Sequence, residues 1–239
     1  MSDMLRLDRY VSECSQYSRK QAVSIIKAGR VRVEGATVTE PGTKVSEDAG
    51  VTLDDHVLKY SRYSYYMLNK PAGCVSAVKD HVSDTVMSYL KGVNCKDLFP
   101  VGRLDKDSEG LLLITNDGDL CHALTSPKRH VNKTYYVLVD KRLPRGARAK
   151  FEQGLDIGDE QPCLPAFVKS KGAVEDDHAY EITITEGRFH QVKRMFLAFG
   201  CKVVTLKRIS EGGLKLDRKL LPGQFRPLTE EEVKLLKEE

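Results

Sequence analysis

Residues 100–118 read PVGRLDKDSEGLLLITNDG. Pro100 and Gly102 open the stretch as a loop, and Arg103 and Asp105 follow on alternate positions around Leu104. After Gly110 comes an unbroken apolar run, Leu111 to Ile114, short enough for a strand buried on both faces. Thr115-Asn116-Asp117-Gly118 then carries a tight-turn signal. The stretch reads as a loop presenting a carboxylate, a buried strand and a turn. A lone Asp in a charged loop is more often a solvated surface residue than a functional one.

The chain around it has 239 residues, 41% apolar and 30% charged, as expected of a soluble globular protein of one large or two modest domains. No apolar run approaches the roughly 18 residues of a membrane helix, and the first residues lack the apolar core of a signal peptide. A cytoplasmic protein with no membrane partner is expected. Six cysteines stand singly, with no close pair. This spacing argues against a metal site and for reduced thiols. A Rossmann glycine fingerprint and a Walker loop are also missing, so no cofactor is expected. Net charge is +4, and its distribution says more. Residues 1–34 hold seven Lys/Arg against four acids, and 126–150 hold eight against one. Two separated basic patches suit a protein that grips a polyanion at two places.

Near the N-terminus, Leu5, Leu7, Tyr10 and Val11 recur at helical spacing. Ser18 reads as the N-cap of a second helix, Arg19 to Ala28, with Gly29 behind it as a C-cap. Val31 to Val33 alternates as a strand, turned by Glu34-Gly35. Arg19, Lys20, Lys27 and Arg30 surround the second helix. They form either a phosphate-binding surface or an ordinary solvated face. Val45 to Leu58 reads as strand, turn, strand, and the tyrosine-rich 60–66 as a connector. Met67 to Gly73 is a strand running into a Pro-Gly loop that carries Lys70.

Past the central stretch, Leu120 to Leu124 suggests a short helix. The basic loop 128–133 (Lys128, Arg129, Lys133) leads into the strand Thr134 to Val139, where Tyr135 and Tyr136 point to opposite faces. Arg145 to Phe151 reads as a helix. Pro162 to Val168 and Tyr180 to Thr185 read as strands around an acidic turn. Gln191 onward is a helix with Val192, Met195, Phe196 and Phe199 on one face. Lys193 and Arg194 lie about 100° apart on it, so only one can face a given cleft. Strands at 203–206 and 214–216, a turn at 221–223, a strand at 225–227 and a helix at 230–237 complete an α+β pattern.

The motifs resemble those of a known family. GRLDKDSEGLLLITNDG closely resembles the active-site motif of pseudouridine synthases, in which the Asp of GRLD is catalytic; it maps onto Asp105. LNKPAG at 68–73 resembles the same family and places Lys70 near RNA. Lys133-Thr134-Tyr135 resembles its second motif, whose tyrosine packs on the target base. EGRFHQVKRMF at 186–196 resembles its third, whose basic residue pairs with the catalytic Asp; the position selects Lys193, with Arg194 as fallback. RLDRYVSECSQYSRKQAVSIIKAGRVRVEGATV at 6–38 resembles the small RNA-binding domain first seen in a small-subunit ribosomal protein, the αL motif. Glu34 stands where that family often has Asn.

The resemblance implies two domains. Residues 1–60 would be a helix–helix–strand RNA-binding domain. Residues 61–239 would be a catalytic domain with a mixed, mostly antiparallel sheet flanked by helices, and 61–66 the connector. Contacts to RNA are implied for Arg6, Ser18, Arg19, Lys20, Lys27, Arg30, Lys70, Lys128, Arg129, Lys133 and His190, with Arg103 supporting the flipped base or a phosphate. The implied reaction turns uridine into pseudouridine without a cofactor. Whether Asp105 attacks sugar, attacks base or removes a ribose proton stays open. KRISEGGLKLD and GQFRPLTEEE point to the 16S branch, with uridine 516 as target in an assembling small subunit and the enzyme as a monomer. A 23S rRNA synthase and a non-catalytic RNA-binding assembly factor are the alternatives. A hydrolase using Asp105 and Asp107 is set aside, because side chains two apart on a loop rarely share a site.

Overall fold

The computed structural model describes residues 4–93, 95 and 97–238. Residues 1–3 and 239, the outer limits of the two expected domains, lie outside them. The chain divides into two compact units, 1–64 with 92–97, and 65–91 with 98–239.

The first unit runs β1 (Met4–Arg6), α1 (Leu7–Glu13), α2 (Arg19–Lys27), β2 (Val31–Val33), β3 (Ala36–Thr37), β4 (Lys44–Ser46), β5 (Val51–Leu53) and β6 (His56–Leu58). A capping box starts α2: Ser18 Oγ accepts from the Gln21 amide at 3.4 Å, and Gln21 Oε1 accepts from the Ser18 amide at 2.9 Å. Leu7, Tyr10, Val11, Ala22, Ile25 and Ile26 pack into the core with Val31 and Val51. Leu5 does not belong to the first helix, as its spacing suggests. It sits in β1 opposite Val45 of β4. Strands β3-β2-β5-β6 form an antiparallel sheet. Glu34 takes a left-handed turn (φ 49°), and its carboxylate accepts from the Gly50 amide at 2.6 Å. That bond explains how Glu stands where Asn is usual.

The second unit runs β7 (Tyr65–Lys70), β8 (Phe99–Pro100), β9 (Glu109–Thr115), α3 (Gly118–Thr125), β10 (Lys133–Val139), α4 (Ala147–Gln153), β11 (Phe167–Val174), β12 (Asp177–Ile184), α5 (Gln191–Leu197), β13 (Val203–Glu211), β14 (Leu214–Lys215), β15 (Phe225–Pro227) and α6 (Glu230–Lys237). Its mixed sheet has the order β11-β12-β10-β13-β9-β7-β15, with β14 on β13 and β8 on β9. Pairing is antiparallel except at the β13–β9 joint, which is parallel. Tyr65 and Tyr66 extend β7 rather than the connector: Tyr66 pairs with Ile114, and its ring meets Phe225 edge-on.

Leu111 and Leu113 pack with Met67, Val101, Leu120 and Leu124 on one side of the sheet, and Leu112 and Ile114 are buried on the other. Burial on both faces is why this strand reads as a continuous apolar run. After Thr115 the chain enters α3 directly. Asp117 caps that helix, accepting from the Leu120 amide at 3.1 Å and from the Tyr65 hydroxyl at 2.6 Å. The helix therefore starts at Gly118, earlier than its apolar residues suggest. Residues 162–166 are not a strand. Their amides turn back onto α4 and its exit, Cys163 to the Leu155 carbonyl and Ala166 to the Phe151 carbonyl, both at 2.8 Å.

At the β13–β9 joint, Arg208 lies opposite Gly110. Gly110 has φ 102°, and a Cβ there would overlap the Arg208 carbonyl oxygen and lie 2.8 Å from its amide nitrogen. Gly110→Ala should therefore destabilise the protein by about 3 kcal/mol or more, through overpacking and backbone strain together. Gly118→Ala, where a Cβ meets nothing within 4 Å, should stay within about 0.5 kcal/mol of wild type. Urea unfolding of both variants checks the pair.

Candidate active site

The loop between β8 and β9 is held from both sides. The Ser76 hydroxyl donates to the Leu104 carbonyl at 2.9 Å, and its oxygen accepts from the Leu104 amide at 3.0 Å. Lys70, at the end of β7, is fully buried. Its ammonium donates to the carbonyls of Ser108 (2.8 Å), Pro71 (3.0 Å) and Lys106 (3.3 Å). Burial pushes its pKa down. Lys70 is thus an internal brace, and the expectation of an RNA contact there is corrected: no phosphate reaches a side chain sealed under its own loop. The bracing leaves the Asp105 carboxylate partly exposed.

Helix α5 supplies the charge opposite. Lys193 Nζ lies 3.4 Å from Asp105 Oδ2 and 2.5 Å from Asp107 Oδ1. Arg194, one residue on, turns away to Asp159 (2.6 Å) and the Ile157 carbonyl (2.6 Å). Lys193, not Arg194, faces the cleft. Its hydrogen bond holds the Asp107 carboxyl below the usual carboxylate range. Asp105 and Asp107 therefore do share a site. Two carboxylates two positions apart converge because one ammonium lies between them, which a count of loop positions does not reveal. His190 completes the rim, Nε2 3.7 Å from Asp105 Oδ1.

The approach to α5 is tightly organised. Glu186 accepts from Gln191 Nε2 (2.7 Å), Arg188 Nε (3.0 Å) and the Leu164 amide (2.9 Å). Gln191 Oε1 accepts from the Arg188 amide at 3.0 Å. Arg188 also reaches the carbonyls of Gln161 and Pro162. This network sets His190 in a left-handed conformation (φ 48°) at the start of the helix. Sequence reading missed Glu186, Arg188 and Gln191 as structural partners; only their place inside the third motif pointed to them.

A depression of about 90 Å³ lies beside Asp105, its apolar wall formed by Leu104, Ile184, Val192 and Leu206. Tyr135 of β10 is also on this wall and is 8% exposed. Burial pushes its phenol pKa up, so it stays neutral at physiological pH. Arg208, also missed from sequence, is buried nearby. It donates from Nε to the Leu111 carbonyl at 2.8 Å and pairs with Glu211 at 3.2 Å. The depression is a narrow apolar slot with a carboxylate and an ammonium at its mouth, suited to a flat base.

The remaining expected contacts are placed as follows. Arg103 is exposed on the rim, and Lys128 and Arg129 are exposed in a turn before β10. Lys133 is half-buried and donates to the Val131 carbonyl at 3.2 Å. In the first unit, Arg6 and Arg19 both pair with buried Asp8, and Arg30 clamps Asp54 through two hydrogen bonds. Among the described residues, Lys20 and Lys27 are exposed without an acidic partner, and Ser18 is occupied as a cap.

With this geometry in hand, comparison with known proteins is decisive. Residues 64–198 match the RNA pseudouridylate synthase model, and residues 5–51 match the S4 domain. The chain belongs to the RNA pseudouridylate synthase family. A Bacillus subtilis relative, described as an uncharacterized RNA pseudouridine synthase, is 41% identical over 98% of this chain and 99% of its own. The ribosomal small subunit pseudouridine synthase A of Escherichia coli is 38% identical over 96% of this chain and 98% of its own, and that of Haemophilus influenzae 37% over 97% and 99%. A crystal structure of a pseudouridylate synthase superposes with a TM-score of 0.67 at 37% identity, covering 97% of this chain and 99% of the other. The protein is a pseudouridine synthase, an isomerase whose substrate is RNA.

In this synthase Lys193 is the cation that both carboxylates see. Lys193→Met should raise the Asp107 pKa from its depressed position to or above the ordinary value of about 3.9. Carboxyl carbon NMR of the two proteins from pH 2 to 7 measures it.

Proposed function

We propose that this synthase converts uridine 516 of 16S rRNA to pseudouridine. It would act as a monomer, in the cytoplasm, on an assembling small subunit. The observation that carries the reading is the meeting of Asp105, Lys193 and Tyr135 at one apolar slot, under a chain related over nearly its full length to small subunit pseudouridine synthases.

The chemistry breaks the bond from N1 of uracil to C1′ of ribose and forms one from C5 to C1′. C5 then loses its proton and N1 gains one, so atoms and electrons balance without a cofactor. The target must leave its stack to reach the slot, at a cost of a few kcal/mol. In this reading Tyr135 packs against the extruded base, which returns on the order of 1–3 kcal/mol. Asp105 is the catalytic carboxylate at the ribose edge. Lys193 orients it from 3.4 Å and shares its charge with Asp107. In this reading Arg103, on the rim of the slot, and the exposed Lys128 and Arg129 contact the RNA backbone. Lys20 and Lys27 offer the first unit's point charges for phosphate.

A non-catalytic assembly factor would need none of the Asp105 site. Three measurements test the reading. Mapping of pseudouridine in rRNA from cells with and without the protein should lose one site in 16S; a loss in 23S instead would redirect the assignment to the large subunit. Asp105→Asn keeps shape and removes charge, so turnover should fall at least 1,000-fold with RNA affinity within a few fold; comparable turnover would unseat Asp105. Lys20→Gln with Lys27→Gln should reduce the slope of log affinity against log salt by about 0.7 to 0.9 per lost contact; an unchanged slope would remove both lysines from the RNA interface.

A further inference from the structure

The rim of the Asp105 slot carries an apolar side chain that the reaction above does not use. Phe189 is 75% exposed. Its ring lies flat on the His190 imidazole, with centroids 3.9 Å apart and planes within 15°. His190 in turn faces the Asp105 carboxylate. Isolated exposed apolar residues are ordinary on protein surfaces. Two features set this one apart.

The first is rigidity. The Phe189 carbonyl accepts from Arg194 Nη1 at 3.2 Å, and the same guanidinium is anchored to Asp159 and to the Ile157 carbonyl. The next residue is fixed in its left-handed conformation by the network of Glu186, Arg188 and Gln191. The backbone that carries the ring is therefore pinned on both sides. The second is that the stack is one-sided. One face of the phenyl ring is covered by the imidazole and the rest is open to solvent. A flat aromatic group could extend the pile to three layers.

We propose that Phe189 is a stacking platform for the base of a nucleotide adjoining the target uridine, and so a positioning residue for the RNA strand at the slot. The proposal rests on the reading of the Asp105 slot as the reacting site. A uridine drawn out of its stack leaves a chain neighbour with one bare face. An aromatic ring held at the slot's edge covers that face whatever the base, because every base has a π surface. Covering it holds the strand still while the target ribose lies over Asp105. His190, already layered beneath, keeps the ring from tilting.

The test uses the full-length protein and a synthetic RNA spanning its mapped target uridine, with one abasic nucleotide placed at each neighbouring position in turn. Phe189→Ala should raise KM for the intact RNA by roughly 5- to 150-fold, the range of one base–aromatic stack, with the loss falling on KM rather than kcat. Phe189→Tyr should restore it, and Phe189→Leu, equally apolar but not flat, should not. At one abasic position the wild type should fall to the level of Phe189→Ala, and the variant should lose nothing more. Equal losses for both proteins at every abasic position would overturn the proposal, as would an unchanged KM in Phe189→Ala or full rescue by Leu. Unfolding midpoints within error of wild type are expected for all three variants, since the side chain is exposed. Asp105→Asn reports on the slot and Phe189→Ala on the platform, so the two readings fail separately.

Discussion

Where β9 meets β13, the backbone of Gly110 lies against Arg208 with no room for a Cβ. This is the parallel joint in an otherwise antiparallel sheet order, and it couples β7, β9 and β15 to β10, β11, β12 and β13. Arg208 bridges the joint from within, its guanidinium on the Leu111 carbonyl and on Glu211. Removing one partner of such a buried pair leaves the other charge uncompensated, a loss of several kcal/mol. The joint also sets the site, because the loop bearing Asp105 enters one strand of it and Tyr135 lies opposite Arg208 on the neighbour of the other.

Rigidity at Asp105 is built from backbone contacts rather than from the carboxylate's own partners. Ser76 pins Leu104, and Lys70 ties two carbonyls of the same loop, Lys106 and Ser108, to its own neighbour Pro71. A buried lysine of this kind is costly unless its hydrogens are used, and here all three carbonyls lie within 3.3 Å. The carboxylate itself is left partly open to a substrate, with its charge balanced across the cleft by Lys193.

That balance is three-cornered. One ammonium serves Asp105 and Asp107, and His190 stands at the other carboxylate oxygen. Lysine places a compact point charge between the two acceptors, where a guanidinium would present a planar fork of donors. Arg194 shows the alternative next door, with its fork spent on Asp159 and two carbonyls.

Much of the local chemistry was legible in the chain. The N-cap at Ser18, the buried run Leu111 to Ile114, the alternation of Tyr135 and Tyr136, and the 100° between Lys193 and Arg194 each follow from neighbours within a few residues. The motifs around Asp105, Tyr135 and Lys193 marked the site for the same reason: they are contiguous. Tertiary contacts decided the rest. Leu5 went to a strand because Val45 was there to pair with it, and Tyr65 and Tyr66 went to β7 because Thr115 and Ile114 were. Lys70 reads as a surface cation, yet the carbonyls of Lys106 and Ser108, brought over by folding, drew its ammonium group inward. Arg30 met Asp54 from 24 positions away. A sequence states which charges a chain carries, but whether each faces water, RNA or another part of the chain depends on partners that only the closed fold brings within hydrogen-bonding distance.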